Sequence, residues 1–504
     1  MSTNVAQILR QGALRHPHQV AVIELTADGQ HHGQYTFGDL DARAMRTAGH
    51  LRACGLGAGA TVGLCIENSV DFVSSWFGAL YAGCTLVPIP ILSAPPEVKA
   101  RLARAHCRAL LCDAAREALA AKACAELDNI QIITPVMLAT STVAEHGPVA
   151  TSTDTAAMIL YTSGTTGLSK GARISHGALL THTSVLAYHA LELGSADRIL
   201  GVLPLTHSYG CRMVMLSGMY AGACAVLMPR FDPQVAMNAM VDHGITWLPA
   251  VPTMLAAFGN LPPGPTPHLR WVMSAGAPLA DEVVRRAERR LDAQIRQGYG
   301  MTEATIATLN SPPDTRTVGS VGKPVWGVEV KITDEQGLPL PPGTRGEVWL
   351  RGHNMMSGYL DDPESTQEAI QDGFMRSGDV GQLDDEGRLY IVDRIKDLII
   401  RGGYNVYPSE VEDVLATHPA IAEVAVVGRP DPLYGEEVVA VVVLRADHKL
   451  SAPELIAWSQ ERVAKPKVPR EIRFVAKLPL GPSGKILKRT LKAALASETE
   501  ADPN

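Results

Sequence analysis

Short apolar runs alternate with helical stretches through the first two-thirds of the chain. The run TVGLCIE is followed by SVDFVSSWFGALYAG, and RILGVLPL precedes a long apolar, helix-like stretch. Such alternation is typical of α/β layers with mostly parallel strands. The run AAMILY, Ala156–Tyr161, is short and apolar and predicts a buried strand. The pattern therefore predicts an α/β fold with layered sheets for most of the chain.

The pattern changes twice towards the C-terminus. From about Val321, GVEVKITDEQGLPLPPGTRGEVWLRG has short strands and Gly/Pro turns, which indicates a small β-rich subdomain. From about Asp397, SEVEDVLATHP, IAEVAVVGRP, EEVVAVVVL and APELIAWSQERVA predict a helix, two strands and a further helix. We therefore expect a large domain over residues 1–395 and a compact α+β domain over residues 396–504.

Composition narrows the class of protein. The chain has 504 residues, is 46% hydrophobic and carries a net charge of -7, which argues against a broad nucleic-acid surface. Its eight cysteines form no CxxC pair, which argues against a disulfide framework or a zinc site and fits a reducing, cytoplasmic compartment. The most membrane-like run, residues 213–229, is shorter than the ~20 residues needed to span a bilayer, so we interpret it as buried core.

The stretch YTSGTTGLSKGA, residues 161–172, suggests a phosphate site. Its hydroxyl and glycine residues can turn several N–H and O–H groups towards one anion, and Lys170 adds a positive charge. A buried strand, a small polar loop and a lysine in this order predict a phosphate cradle, with a solvated turn as the alternative. The loop lacks the Gly-Lys-Ser/Thr ending of a Walker A motif, so a P-loop NTPase is disfavoured.

Four further stretches stand in register with this loop. They are SAGAPL (274–279), QGYGMTE (297–303), RSGDVGQLDDEGRLYIVDRIKD (376–397) and LPLGPSGKILKR (478–489). In this order and spacing the chain resembles the adenylate-forming superfamily of acyl-CoA synthetases, nonribosomal adenylation domains and luciferases. The resemblance covers nearly the whole chain and implies a small C-terminal domain that rotates between two half-reactions.

The resemblance also implies the chemistry. In this family a carboxylate attacks the α-phosphate of ATP to give an acyl-adenylate and pyrophosphate, and a thiol, usually that of CoA, then displaces AMP. ATP, Mg²⁺ and CoA are therefore the expected cofactors, and a small carboxylic acid is the expected substrate. The phosphopantetheine of a carrier protein is the alternative acceptor, and a homodimer is left open. No nucleic acid and no transmembrane segment are expected.

The family's nucleotide-site residues carry over by position. Glu303 is implied to hold Mg²⁺, with Thr162 as a second ligand; Thr302 is implied to bond the α-phosphate. Tyr299 is implied to stack on adenine. The residues implied to hold the β- and γ-phosphates are Thr162, Ser163, Gly164, Thr165, Thr166 and Lys170. Those implied to line the base and the ribose are the small residues Ala275, Gly276 and Ala277, then Asp379 with Arg394 beside it.

Four residues are implied to act on the acyl group and on the second half-reaction. Lys485 is implied to bridge the carboxylate and the α-phosphate, and His207 in LPLTHSYG to lie near the carboxylate and the acyl channel. Lys396 matches the hinge between the domains, and Gly403 matches a glycine that lines the pantetheine channel. An inactive nucleotide-binding scaffold is disfavoured because all the family's charged site residues are retained.

The sequence constrains the acid only loosely. Amino-acid-activating relatives have an aspartate near Thr206–Ser208, which this chain lacks, so an amino acid is not expected. Malonate-activating relatives place an arginine just before the tyrosine of YGMTE, where this chain has Gly298, which favours a monocarboxylic acid, aliphatic or aromatic. Arg212, at the start of the apolar run, is either paired structurally, which we favour, or meets a polar end of the substrate.

The lysine of PSGKI generates a testable expectation. Substituting Lys485→Ala should slow acyl-adenylate formation by about 10²- to 10³-fold, because one donor that stabilises developing charge is removed. The thioester half-reaction, measured with preformed acyl-adenylate and CoA, should be retained. Equal loss of both half-reactions would contradict the assigned role.

Overall fold

The largest sheet has parallel strands at its centre and antiparallel strands at both edges. The computed structural model describes residues 4–140, 146–162, 169–265, 268–312, 314–446, 448–481 and 486–501. Within these ranges the sheet has nine strands, in the order Lys323–Pro324, Thr305–Leu309, Ile295–Met301, Trp271–Ser274, Trp247–Ala250, Arg198–Gly201, Cys224–Leu227, Val20–Leu25 and His31–Thr36. The parallel centre confirms the α/β prediction.

A second sheet lies in the same N-terminal part and contains the strand that precedes the phosphate loop. Its seven described strands run in the order Gly358–Tyr359, Gly171–Ser175, Ala156–Tyr161, Thr85–Pro88, Thr61–Cys65, Cys107–Cys112 and Gln131–Ile133. The apolar run AAMILY forms the strand Ala156–Tyr161, and its four central residues are buried, as predicted. Its neighbour Gly171–Ser175 pairs antiparallel to it, so Tyr161 lies opposite Gly171.

Helices cover both sheets, and their ends follow local sequence signals. The helix Val70–Ala82, predicted from SVDFVSSWFGALYAG, begins after Ser69, whose hydroxyl accepts from the Phe72 N–H. It ends at Gly83, whose φ of +89° is a left-handed C-cap that favours glycine. The other described α-helices are Gln7–Arg15, Phe37–Ala53, Pro95–Arg104, Glu117–Cys124, Pro135–Ala139, His176–Val185, Ser208–Gly210, Ser217–Ala221, Pro233–Asp242, Pro252–Gly259, Asp281–Leu291, Pro363–Ala369, Pro408–Ala416, Ala452–Gln460 and Lys488–Ala501.

Shorter helical turns complete these elements. Two π-helical segments, Leu186–Ala190 and Cys211–Leu216, each continue an α-helix, and 3₁₀ turns cover Ala114–Arg116 and Lys465–Lys467. The apolar run at residues 213–229 forms buried helix and the buried strand Cys224–Leu227, as expected. Among the described residues no helix is long and apolar enough to cross a membrane.

The β-rich segment forms an antiparallel sheet of its own. Its five described strands are Val328–Thr333, Gly346–Gly352, Phe374–Leu383 and Ile370–Gln371 in sheet order, with Leu389–Arg394 paired to Phe374–Leu383. This confirms the predicted change in texture after Val321. The pairing aligns Asp379 with Arg394 across two strands, which brings two residues of one motif together.

The C-terminal part has a small mixed sheet. Its described strands run Tyr404–Val406, Ile399–Arg401, Gly435–Leu444 and Ile421–Asp431, with Glu471–Phe474 parallel to Gly435–Leu444. The predicted helices appear as Pro408–Ala416 and Ala452–Gln460, so the α+β class is confirmed. Ser409 contacts Asp393, and Arg345 pairs with Glu410 at 2.8 Å, which are polar contacts between the two parts. The exact domain boundary at residue 396 stays a prediction.

A partly buried ion pair anchors the last helix to this small sheet. Lys488 Nζ lies 2.7 Å from Glu412 Oε1, and that oxygen also accepts from the Val426 N–H at 2.6 Å. Both side chains are 18% exposed, so removing one charge leaves the other in a poorly solvated place.

Substituting Lys488→Met should lower the free energy of opening this unit by about 3–5 kcal/mol, because Glu412 then loses its cation. Native-state hydrogen exchange along Ile421–Asp431 measures that free energy. The double variant Glu412→Gln/Lys488→Met should recover much of the loss, and Lys492→Met, one turn further along the helix, is the matched control. Equal effects of Lys488→Met and Lys492→Met would contradict a specific ion-pair role.

Candidate functional site

The predicted nucleotide motifs meet where central strands of the largest sheet end. The strand Trp271–Ser274 ends immediately before Ala275, Gly276 and Ala277, and Gly276 has a φ of +93°, which favours glycine at this turn. Ligands of open α/β sheets bind outside the carboxyl ends of the strands. The three small residues therefore occupy the edge where a planar base has room to approach the backbone.

The QGYGMTE motif forms a tight hairpin beside this turn. The strand Ile295–Met301 turns through Thr302, Glu303 and Ala304 into Thr305–Leu309. A Cβ at Gly300 would lie 1.9 Å from the Thr305 carbonyl oxygen, so only glycine fits. The hairpin buries Glu303 and leaves Thr302 partly exposed.

The side chain of Glu303 is a buried carboxylate that accepts a hydrogen bond from one tyrosine of the described residues. The Tyr359 hydroxyl donates to Glu303 Oε1 at 2.9 Å. Burial raises the pKa of Glu303 above its usual range, and the hydrogen bond from Tyr359 opposes that rise. The backbone is also held, since Met356 N–H donates to the Glu303 carbonyl and Asn354 Nδ2 donates to that of Ala304, both at 2.6 Å.

Lys170 connects this carboxylate to the phosphate-loop strand. Its Nζ lies 5.3 Å from the centre of the Tyr359 ring and donates to Ser365 Oγ at 2.6 Å. Thr162 N–H donates to the Lys170 carbonyl at 3.0 Å, which closes the base of the loop. The loop lysine and Glu303, 133 positions apart in sequence, thus contact the same tyrosine, Lys170 at its ring and Glu303 at its hydroxyl.

Part of the predicted site lies outside the described residues. These residues are Ser163, Gly164, Thr165 and Thr166 of the loop and Lys485 of the PSGKI motif. Their predicted roles stay predictions.

Tyr299, Asp379 and Arg394 form the second polar cluster. The Tyr299 hydroxyl donates to Asp379 Oδ2 at 2.6 Å, and Arg394 Nε lies 3.1 Å from Asp379 Oδ1. Burial and the adjacent Asp379 charge raise the pKa of Tyr299 well above its usual range, so it stays a neutral donor. The charges of Asp379 and Arg394 also influence the pKa of Glu303, so the two polar clusters lie close to each other.

His207 begins the helical segment that follows the LPLT turn. Its Nδ1 accepts from the Tyr209 N–H at 3.2 Å and thereby caps the helix. In the neutral ring the proton therefore sits on Nε2, which makes that nitrogen a donor. The Tyr209 hydroxyl donates to the carbonyls of Ala250 and Met273 at 3.3 and 3.2 Å, which ties this segment to the carboxyl ends of two central strands.

The two predicted hinge and channel residues lie in turns. Lys396 is exposed in the turn between Leu389–Arg394 and Ile399–Arg401. Gly403 has a φ of +81° in the next hairpin, and a Cβ built there meets nothing within 4 Å. The backbone conformation therefore accounts for glycine at this position without a steric clash inside the chain.

Sequence reasoning missed four side chains and misjudged a fifth. Tyr359 and Ser365 join Glu303 to Lys170, and no motif used in the sequence analysis contains either residue. His182 contacts His353, with Nδ1 and Nε2 3.2 Å apart. Arg212 was expected to be paired structurally, but its three guanidinium nitrogens are buried without a hydrogen-bond partner among the described residues.

Comparison with known proteins identifies the family of the chain. The AMP-binding enzyme family matches residues 9–360, and the AMP-binding enzyme C-terminal domain matches residues 410–485. A sulfoacetate–CoA ligase of Cupriavidus necator is 36% identical over 470 residues, covering 90% of this chain and 92% of the relative. A feruloyl-CoA synthase of an Amycolatopsis species is 35% identical over 461 residues, covering 90% and 92%.

Solved structures give the same result. The crystal structure of ATP-bound MatB from Rhodopseudomonas palustris superposes with a TM-score of 0.91 at 30% identity, covering 98% of this chain and 99% of that one. The chain therefore belongs to the AMP-binding enzymes, in their acyl-CoA synthetase branch.

The hydrogen bond between Tyr359 and Glu303 predicts a change in pH dependence. The pKa of Glu303 is raised, so its carboxylate is lost as the pH falls through that raised value, and Tyr359→Phe removes a donor that lowers the pKa. The acidic limb of kcat/KM should therefore move to higher pH, since the charged form of Glu303 loses a hydrogen bond that stabilises it.

Tyr390→Phe is the matched control, because the Tyr390 hydroxyl donates to Asp384 instead. A Tyr359→Phe profile that coincides with wild type, or an equal shift in the control, would contradict this role for the hydrogen bond.

Proposed function

We propose that this chain activates a carboxylic acid with ATP at the edge formed by Glu303, Tyr299, Asp379 and Lys170, and then transfers the acyl group to CoA from the same site. Its class is an AMP-forming acid–CoA ligase. The observation that carries the residue assignment is the convergence of three separate motifs on one polar neighbourhood.

The first half-reaction joins the acid to the nucleotide. A carboxylate oxygen attacks the α-phosphorus of ATP, and the bond to the β-phosphate oxygen breaks, which gives acyl-adenylate and pyrophosphate. The charge on the departing pyrophosphate calls for cations and N–H or O–H donors. Lys170 and the loop that Thr162 closes supply such groups, and Thr302 lies one residue from Glu303 for the α-phosphate.

The nucleoside is assigned to the second cluster. The Asp379 carboxylate accepts hydrogen bonds and suits the ribose hydroxyls, with Arg394 beside it. The Tyr299 ring and the small turn Ala275–Gly276–Ala277 are assigned to the base, where absent or short side chains leave room for a flat ring. The Tyr299 hydroxyl is held by Asp379, so the base and ribose contacts are fixed relative to each other.

The residues present suit a magnesium ion. Mg²⁺ is usually bound by one or two carboxylates together with substrate phosphates and water, and Glu303 is a buried carboxylate beside the phosphate-loop lysine. We assign it to Glu303, with the Thr162 hydroxyl as a second oxygen. When bound, the ion neutralises phosphate charge, while Tyr359 keeps the Glu303 carboxylate oriented.

The second half-reaction uses the C-terminal part. The CoA sulfur attacks the acyl carbonyl carbon, and the bond to the AMP oxygen breaks, which gives the thioester and AMP. We assign the exposed turn at Lys396 to the hinge, Gly403 to the pantetheine channel and Lys485 to the adenylation half-reaction. His207, whose Nε2 carries the proton, is assigned to the substrate carboxylate.

Which thiol accepts the acyl group and which acid is activated are separate questions. The matched relatives are CoA ligases, which does not favour loading of a carrier protein. By their names these relatives act on sulfoacetate and feruloyl groups, so the similarity covers both a small charged acid and an aromatic one. The eight cysteines are all free, and seven are buried, which fits our placement of the enzyme in the cytoplasm.

A product assay tests the proposal. Purified protein with ATP and Mg²⁺ is offered a panel of short, long, aromatic and charged acids, each with and without CoA. Pyrophosphate release and mass spectrometry should show acid-dependent AMP and an acyl-CoA thioester that needs CoA. Acyl-adenylate without any CoA thioester would contradict the proposed acceptor.

Asp379→Asn should raise the KM for ATP by about 10-fold or more, since one charged hydrogen bond is lost. The matched control Asp384→Asn, in a surface turn, should leave the KM for ATP unchanged.

A further inference from the structure

Arg212 is a buried cation without a described counter-charge. Its side chain is 1% exposed, and Nε and both terminal nitrogens lack a hydrogen-bond partner among the described residues. No carboxylate forms an ion pair with it in the part of the chain that the structure describes. A buried guanidinium in this state is costly, because it has lost its hydration without gaining a partner.

The charge persists at neutral pH. Burial lowers the pKa of Arg212 to about 10, which still leaves the side chain protonated at pH 7. The neighbouring His182 is neutral there, since burial and the Arg212 charge hold its pKa well below the usual range. His353, which contacts His182, also has its pKa lowered by burial. These flanking groups therefore leave the Arg212 charge uncompensated.

The location of Arg212 links it to the acyl-substrate end of the site. It follows His207 by five residues in the same helical segment, whose Tyr209 hydroxyl is bonded to carbonyls at the ends of two central strands. Arg212 lies in the π-helical part, and such segments are frequent at functional sites.

Further buried donors lie near this segment. The hydroxyl of Ser208, four residues before Arg212 on the same helical face, has no hydrogen-bond partner among the described residues, and neither does that of Ser274 at the end of its strand. Buried polar groups are normally hydrogen-bonded, so a cation and two hydroxyls without partners indicate a polar ligand.

We propose that Arg212 binds a second anionic group of the acid substrate, at the end remote from the carboxylate that is activated. The proposal rests on the ligase function above and names its substrate class: a short acid with a terminal sulfonate or carboxylate. The planar guanidinium can donate two parallel hydrogen bonds to either group. Five residues of helix correspond to about 7 Å of axial rise, so a short chain spans from His207 to Arg212.

This proposal revises the structural role expected for Arg212 from sequence. It keeps the inference from Gly298 if the second group is a sulfonate, since that acid has one carboxylate, and revises it if the second group is a carboxylate. No described residue pairs with Arg212, because the substrate supplies the partner. Acids with an uncharged end would leave the buried cation unpaired and should be rejected.

Pairs of acids that differ only in the terminal charge test the proposal. The pairs are sulfoacetate with methylsulfonylacetate and succinate with 4-oxopentanoate, measured as kcat/KM for pyrophosphate release. Wild type should favour the charged member of at least one pair by about 10²-fold or more. Which pair shows the preference distinguishes a sulfonate from a carboxylate.

Variants of Arg212 separate binding from folding. Arg212→Met should lower kcat/KM for the charged acid by about 10²- to 10³-fold, because that acid loses a buried partner, and should leave kcat/KM for the uncharged acid equal or higher, because that acid no longer meets an unpaired cation. Arg212→Lys should retain part of the preference. The Tm of ligand-free Arg212→Met should equal or exceed that of wild type, since an unpaired buried charge is removed.

Each contrary outcome has a distinct meaning. A wild type that prefers the uncharged acids overturns the role of Arg212 but leaves the ligase function standing. Equal loss of both acids in Arg212→Met, with a lower Tm, assigns Arg212 a structural role instead. If none of the acids causes wild type to release pyrophosphate, the proposed function and the substrate class are overturned together.

Discussion

The hydrogen bond from Tyr359 to Glu303 joins parts of the chain that no local signal connects. It brings the second sheet, through the strand Gly358–Tyr359, against the hairpin of the largest sheet. The same tyrosine ring lies under Lys170, which follows the phosphate loop. One side chain therefore fixes the distance between a carboxylate and a cation that both face the polyphosphate in our assignment. A buried carboxylate without such a donor would rise in pKa and lose its charge more readily.

The end of the site that we assign to the acyl group differs from the end assigned to the nucleotide. At the nucleotide end the carboxylates have partners inside the chain, since Asp379 pairs with Arg394 and Glu303 accepts a hydrogen bond from Tyr359. Arg212 has no such balance among the described residues. Specificity is a difference between affinities, and an unpaired buried charge penalises the wrong ligand as much as it attracts the right one. In our proposal the nucleotide end is common to any acid, and Arg212 near His207 selects the acid.

The sequence predicted those features that depend on local pattern. The strand Ala156–Tyr161 and the helix Pro408–Ala416 follow from apolar periodicity and flanking turns, and the structure has them where expected. The proximity of Asp379 to Arg394 came from family resemblance, and the structure gives its physical origin in a cross-strand pair.

Other features depend on contacts between distant segments and could not be predicted from local pattern. Tyr359 meets Glu303 from 56 positions away, and no periodicity encodes that contact. The expectation that Arg212 is paired failed for the same reason. Its neighbour His182 lies on another helix, so the local sequence does not reveal what surrounds the buried guanidinium after folding. Gly403 was expected to be glycine because of a ligand, and the structure adds a second reason in its positive φ, which favours glycine.

The most direct test of the acyl-adenylate route follows one oxygen atom. Acid labelled with ¹⁸O in its carboxylate is converted with ATP, Mg²⁺ and CoA, and the phosphorus products are analysed by mass spectrometry. Attack of the carboxylate on the α-phosphorus predicts that one labelled oxygen appears in AMP and that pyrophosphate stays unlabelled. Label in inorganic phosphate together with ADP would show attack at the γ-phosphorus and would contradict the proposed chemistry.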